Sequence, residues 1–175
     1  MPIDTSIDFV SINIAVITIS DSRTIENDSS GDTLEKRILD CGHHMIERII
    51  IPDDVKKIKD NLESISKKKD VDCIITTGGT GLTGRDTTPE AVKEIANKHI
   101  DGFGELFRQV SFNKIGTSAI QSRAVAALIN STYVFCLPGS TGACKDGWDE
   151  ILKYQLDIRH KPCNFVEIMP RLNEK

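Results

Sequence analysis

The sequence has no excess of positive charge, no long apolar run and no paired cysteines, and each absence removes a class of function. Lysine and arginine number 22 against 26 aspartates and glutamates, for a net charge of -4 and a pI near 5.6. Such a balance argues against non-specific binding to nucleic acid or to a membrane surface. An anionic ligand would therefore have to be met locally, by backbone N–H groups, a few arginines or a metal ion. The longest apolar stretch, residues 124–129, is far too short to span a bilayer. Residues 1–11 carry acids and lack the basic-then-apolar order of a secretory signal. The five cysteines (Cys41, Cys73, Cys136, Cys144 and Cys163) show no C-x-x-C or Cys/His spacing suited to zinc or a redox pair. A reducing, cytoplasmic setting is the expectation.

What is present suits one globular domain. The chain has 175 residues, 39% hydrophobic and 27% charged, enough for a self-supporting core. Residues 12–19 form a β-branched run, apolar on both alternations, as in a strand covered on both faces. Asp28-Ser29-Ser30-Gly31 signals a helix start, followed by Leu34, Ile38 and Leu39 on one face and closed by Cys41-Gly42. Residues 44–51 return to strand character before Pro52. Asp53-Asp54 then opens a helix with Val55, Ile58, Leu62 and Ile65 at helical spacing, ended by Lys67-Lys68-Lys69. A third strand, 71–77, runs into glycines. Thr88 is expected as an N-cap with Pro89 at the first helical position. Helical stretches are expected at 105–112, after a Gly102-Phe103-Gly104 break, and at 117–128. A fourth strand, 132–137, and a final helix through Trp148, Ile151 and Leu152 complete the order. This alternation predicts an α/β fold with a mostly parallel sheet and helices on both faces. Ligands in such folds bind beyond the strand carboxyl ends, which makes the loops at 20–28, 52–54, 78–89 and 138–142 the suspects.

Gly78-Gly79-Thr80-Gly81 follows a buried strand, where glycine lets several N–H groups converge on a phosphate. It is neither a Walker A loop nor a G-x-G-x-x-G turn opening a helix. Arg85-Asp86 follows within the same crevice. A carboxylate there suits a Mg²⁺ ion bridging to substrate phosphates, or simply favours the positive end of the next helix. Pro138-Gly139-Ser140 is a second strand-to-helix turn able to meet an anion.

Together, Thr76-Thr77-Gly78-Gly79-Thr80-Gly81, Arg85-Asp86-Thr87-Thr88-Pro89-Glu90, Gly102-Phe103-Gly104-Glu105, Gln121-Ser122-Arg123-Ala124 and Pro138-Gly139-Ser140 resemble the MoaB/MogA molybdopterin-binding family. The resemblance runs from about residue 12 to 164, and the ending Arg159-His160-Lys161-Pro162-Cys163-Asn164-Phe165 is similar to its B-type members. It implies a three-layer sandwich and a molybdopterin adenylyltransferase, which binds molybdopterin and Mg-ATP, transfers AMP to the pterin's terminal phosphate and releases pyrophosphate. It implies Asp53 and Asp86 as catalytic, Mg²⁺-holding residues. Gly78, Gly79, Thr80, Gly81, Pro138, Gly139 and Ser140 would serve phosphate and nucleotide, and Ser111, Ser122 and Arg123 the pterin. Some B-type members lack the aspartate matching Asp53, whereas Ile51-Pro52-Asp53-Asp54 keeps it here. The resemblance further implies a homotrimer or hexamer, with an apolar face near 103–112 as a contact, and a downstream molybdenum-insertion protein as partner.

A carrier that binds molybdopterin without turnover is the nearest rival reading, and a nucleotide-pyrophosphate hydrolase of the same fold a more distant one. Other conspicuous residues read as structural. Adjacent His43 and His44 diverge on a strand without further ligands nearby. Trp148, Phe103 and Phe107 read as core, with subunit contact as a second use for the two phenylalanines, and Arg108 as half of a surface ion pair.

Overall fold

The computed structural model describes residues 3–174. A six-stranded sheet has the order β2-β1-β3-β6-β5-β4. The strands are β1 (Asn13–Ile19), β2 (His44–Ile51), β3 (Cys73–Thr77), β4 (Lys98–His99), β5 (Val125–Ile129) and β6 (Thr132–Leu137). β2, β1, β3 and β6 run parallel, while β5 and the two-residue β4 pair antiparallel at one edge.

Helices cover both faces. Along β1, Ile14 and Val16 point to one side and Ala15, Ile17 and Ile19 to the other, as strand alternation requires. The first side packs against α1 (Ser29–Asp40) through Leu34 and Ile38, against α4 (Asp101–Ile115) through Phe103 and Phe107, and against α5 (Thr141–Gly147) with its π-helical continuation Trp148–Leu152. The second side packs against α2 (Val55–Ser66) through Ile58, Leu62 and Ile65, and against α3 (Thr88–Ile95) through Ala91 and Val92. The result is the three-layer α/β sandwich that the alternation predicts. Cys73, Cys136 and Trp148 are buried in it, and His43 is sandwiched between Phe9 and Trp148 with its Nδ1 accepting the Ile12 N–H.

Several expectations need correction. The segment expected to be helical over 117–128 is a 3₁₀ turn, Gly116–Gln121, followed by β5. The expected break at Gly102-Phe103-Gly104 is instead the first turn of a continuous α4. Gly104 is required there because a Cβ would stand 2.5 Å from the Ala124 carbonyl, so a small residue lets the helix approach β5. Leu39 lies on the exposed side of α1. The cap of α3 is Thr87, and the Thr88 hydroxyl donates instead to the Gly78 carbonyl. Arg108 forms no ion pair among the described residues and donates at long range to Ala124 O.

The chain passes from β1 outward to β2 and then back across β1 to β3. The carboxyl ends of β1 and β3 therefore flank the point where strand order switches, the place where a sheet of this kind opens a crevice.

Candidate active site

A cavity of about 720 Å³ lies at that switch point. It is within the range of small-molecule sites, roughly 300–1,000 Å³. Its floor is the glycine turn after β3. Gly78 has φ +110°, and a Cβ there would stand 2.1 Å from the Ile19 carbonyl. Gly79 has φ +64°, and its Cβ would meet Thr88 Oγ1 at 2.2 Å and Asp53 Oδ2 at 2.8 Å. No other residue fits either position, so the turn brings bare backbone to the cavity.

Two carboxylates reach this turn from different loops. Asp53 follows β2 and Pro52. Its Oδ1 accepts the Thr87 N–H at 3.2 Å and the Thr87 hydroxyl at 2.9 Å, which leaves Oδ2 beside Gly79. Asp86 is held by its own loop, with Oδ2 accepting from Thr83 N at 2.9 Å and from the Thr83 hydroxyl at 2.6 Å. The Thr83 hydroxyl above all holds the Asp86 carboxyl below its ordinary range. Asp53 moves the other way. Burial pushes its carboxyl up against the pull of the Thr87 donors, and the charges of Asp86 and Asp21 add to the rise. Two oriented carboxylates next to bare glycine backbone fit a hard cation such as Mg²⁺, which takes one or two carboxylates and completes its shell with water and ligand phosphate. No group of three or more His, Cys, Asp or Glu able to hold a metal occurs among the described residues, so such an ion would rely on its ligand.

The rest of the cavity differs in character. Thr80 and Gly81 continue the floor, and Pro138, Gly139 and Ser140 border it from the turn after β6. The Ser140 hydroxyl is committed as the N-cap of α5, accepting from Ala143 N at 3.1 Å. Beyond them the cavity runs under α4 and the 3₁₀ turn, where Phe107, Ser111, Ile115, Ala119 and Ser122 form a half-apolar wall.

Of the residues singled out in the sequence, all but Arg123 line this one cavity. Arg123 turns the other way. Its Nε donates to Gly81 O and its Nη2 to Asp86 O, both at 2.7 Å, and its Nη1 pairs with Glu90. It ties the segment before β5 to the loop that carries Asp86, acting as a strut behind the site. Sequence reasoning selected the loop at 20–28 but no residue in it, and four of its residues, Ser20, Asp21, Ser22 and Arg23, line the cavity. Asp21 accepts the Asp53 N–H at 3.2 Å and pairs with Arg85 at 2.6 Å, which lowers the Asp21 carboxyl. Arg23 also lines the cavity. The available signal was position alone, immediately after a buried strand on the carboxyl edge.

The fold is a three-layer α/β sandwich with a candidate site in the cavity at the strand switch. The sequence profile of the family described as "Probable molybdopterin binding domain" matches residues 15–158, and the chain belongs to that family. The molybdenum cofactor biosynthesis protein B of Escherichia coli K12 is 42% identical over 160 residues, covering 91% of this chain and 94% of that protein. The protein of the same name from Bacillus cereus is 40% identical over 146 residues, covering 83% and 86%. A crystal structure of molybdenum cofactor biosynthesis protein B superposes with a TM-score of 0.85 at 36% identity, covering 95% of this chain and 98% of that one. With these relatives, the chain belongs to molybdenum cofactor biosynthesis. None of its described helices is long and apolar enough to cross a membrane.

Proposed function

We propose that the chain is a molybdopterin adenylyltransferase, using Mg-ATP to convert molybdopterin to adenylyl-molybdopterin. The observation that carries this reading is the pair Asp53, beside Gly79, and Asp86, beside Gly81, each oriented by a threonine, along the bare backbone of the glycine turn in a cavity with a second, half-apolar end. One end suits a polyphosphate and its cation, the other a flat heterocycle with hydrogen-bonding edges.

The reaction needs little from side chains as acids or bases. A terminal phosphate oxygen of the pterin attacks the α-phosphorus of ATP and forms a P–O–P bond. The bond from the α-phosphorus to the bridging oxygen breaks, and pyrophosphate leaves with the electron pair. The attacking phosphate is already anionic at neutral pH, so the protein's task is positioning and charge neutralisation. Asp53 and Asp86 would hold Mg²⁺, which when bound supplies positive charge to the phosphates. The amides of the glycine turn bind phosphate oxygens, Thr87 and Thr83 keep the two carboxylates aimed, and Arg123 holds the loop between them. Ser111 and Ser122 stand where they can hydrogen-bond the pterin.

Self-association belongs to the same proposal. Leu106, Phe112, Ile115 and Ile120 are exposed along α4 and the following 3₁₀ turn, and contact between copies in a homotrimer or hexamer would cover them. A downstream molybdenum-insertion protein would take the product.

The test is AMP transfer itself. Purified chain, ATP, Mg²⁺ and molybdopterin should yield pyrophosphate and adenylyl-molybdopterin in equal amounts. Molybdopterin binding without either product would replace the enzyme by a carrier.

A further inference from the structure

The cavity is proposed to take ligands rich in phosphate, yet its described lining contains four aspartates (Asp21, Asp53, Asp86 and Asp146) and a single cation, Arg23. Two carboxylates can be reconciled with phosphate through a metal ion. The other anionic groups of the ligand must find a positive partner elsewhere.

Arg23 is unlike the well-anchored arginines. Arg37, Arg48, Arg85, Arg123 and Arg159 each donate to an oxygen at 2.6–2.9 Å. The Arg23 guanidinium has only long contacts, to Gly139 O at 3.4 Å, Ser29 Oγ at 3.5 Å and Asp28 Oδ1 at 3.5 Å. Distances of that length are at the outer limit of hydrogen bonding. Asp28 is not waiting for it. That fully buried carboxylate already accepts from Thr18 Oγ1 at 2.6 Å, from Ser30 Oγ and Gly31 N at 3.0 Å each, and from Arg48 Nη2 at 3.0 Å. Asp28 therefore offers Arg23 a fixed electrostatic anchor while leaving its donors largely unspent.

The position is also specific. Arg23 N donates to Ser20 Oγ at 3.2 Å, which fixes the chain directly after β1. The side chain then reaches across to Gly139, where a Cβ would stand 3.3 Å from the Gly78 Cα. The guanidinium thus borders the glycine turn from the α1–α5 side, whereas Asp53 and Asp86 border it from the α2–α3 side.

We propose that Arg23 is the phosphate-binding cation of the cavity, exchanging its long contacts for a bidentate, charge-assisted pair with a ligand phosphate. This deepens the adenylyltransferase reading and rests on it for the ligand's identity. The shared chemistry is a phosphate group, carried either by the nucleotide polyphosphate or by the pterin's phosphomonoester.

The experiment is calorimetric titration of wild type, Arg23→Ala and Arg23→Lys with ATP, inorganic pyrophosphate, adenosine and molybdopterin. Arg23→Ala should weaken binding of at least one phosphate-bearing ligand by about 10- to 100-fold, the size of one charge-assisted contact. Adenosine affinity should not move, and Arg23→Lys should recover part of the loss. Weakening confined to ATP and pyrophosphate assigns Arg23 to the nucleotide, and weakening confined to molybdopterin assigns it to the pterin phosphate. Arg23→Ala binding every phosphate ligand as wild type does, with unchanged thermal midpoint, overturns the assignment while leaving adenylyl transfer standing. An Arg23-dependent phosphate affinity in a wild-type chain that transfers no AMP would do the opposite. If the alanine variant does not fold, Arg23→Gln, which removes the charge but keeps a long polar side chain, carries the same comparison, and wild-type affinity for every phosphate ligand there overturns the proposal.

Discussion

The two walls of the cleft are built on different principles. On the α2–α3 side nearly every functional atom is pinned: Asp53 by Thr87, Asp86 by Thr83, and Gly78 by the Thr88 hydroxyl on its carbonyl. On the α4 side the wall is Phe107, Ser111, Ile115 and Ala119, with Ile115 and the neighbouring Phe112 and Ile120 largely open to solvent. A wall fixed by short polar contacts can hold charge where charge must be neutralised without reorganising. A wall of apolar surface and three serines, Ser111, Ser118 and Ser122, selects by shape and can be completed by a ligand or a second copy. Arg123 is the clasp between them, rooted in the segment just before β5 and gripping the Gly81 and Asp86 carbonyls.

The largest expected effect comes from breaking the pinned wall. Asp86→Asn, or Asp53→Asn, should lower AMP transfer by roughly a hundredfold or more while leaving molybdopterin affinity within about twofold, because in the proposed reaction each would remove a charge that holds the cation and no pterin contact. Full turnover in Asp86→Asn would remove that residue from the mechanism. Loosening the clasp is the next step down. In Arg123→Lys one ammonium replaces a fork that serves two carbonyls and Glu90, and transfer should fall about tenfold with pterin affinity little changed. A loss confined to pterin binding would instead place Arg123 at the ligand. On the other wall, Ser122→Ala should weaken molybdopterin by about 5- to 10-fold, one neutral hydrogen bond, and leave ATP affinity alone. The reverse pattern would mean that the two ends of the cavity are exchanged. The smallest effect on chemistry is expected from Phe112→Glu at the solvent-facing margin. It should shift mass by light scattering toward the 19.4 kDa monomer without unfolding the chain; a wild type that is itself monomeric at every concentration would end the assembly proposal.

Proton competition sharpens the contrast within the pinned wall. Asp53 holds its proton more tightly than an ordinary aspartate and Asp86 less tightly. A cation binds the ionised form, so Mg²⁺ affinity should fall as pH is lowered through the raised Asp53 value, before Asp86 protonates. In Asp53→Asn that acid limb should move to lower pH.

The same division decided what could be read from the sequence. The parallel half of the sheet was legible because its strands are β-branched runs ended by Pro52 or glycine, and because its loops carry chemistry in consecutive residues. The antiparallel edge was not. Val125-Ala126-Ala127-Leu128-Ile129 is a short apolar run whose alanines suit a helix as well as a strand, and only pairing with β6 makes it β5. Gly102 and Gly104 look like breakers, each costing a helix about 1 kcal/mol, yet the close approach to Ala124 needs the second of them. Within the cavity, the lining residues that stand in contiguous motifs were legible as candidates, while Asp21 and Arg23 sit in a loop with no periodicity and reach the lining only through the strand order. Arg123 lies inside a motif, yet its side chain is turned to Gly81, Asp86 and Glu90 rather than to the cavity, because a motif fixes position along the chain and not the direction of a side chain.

The measurement that bears most directly on this account is pyrophosphate release from Mg-ATP with and without molybdopterin. The account predicts release that requires molybdopterin and matches the adenylyl-molybdopterin formed. Molybdopterin binding by folded protein with no pyrophosphate released would contradict it and leave a carrier in its place.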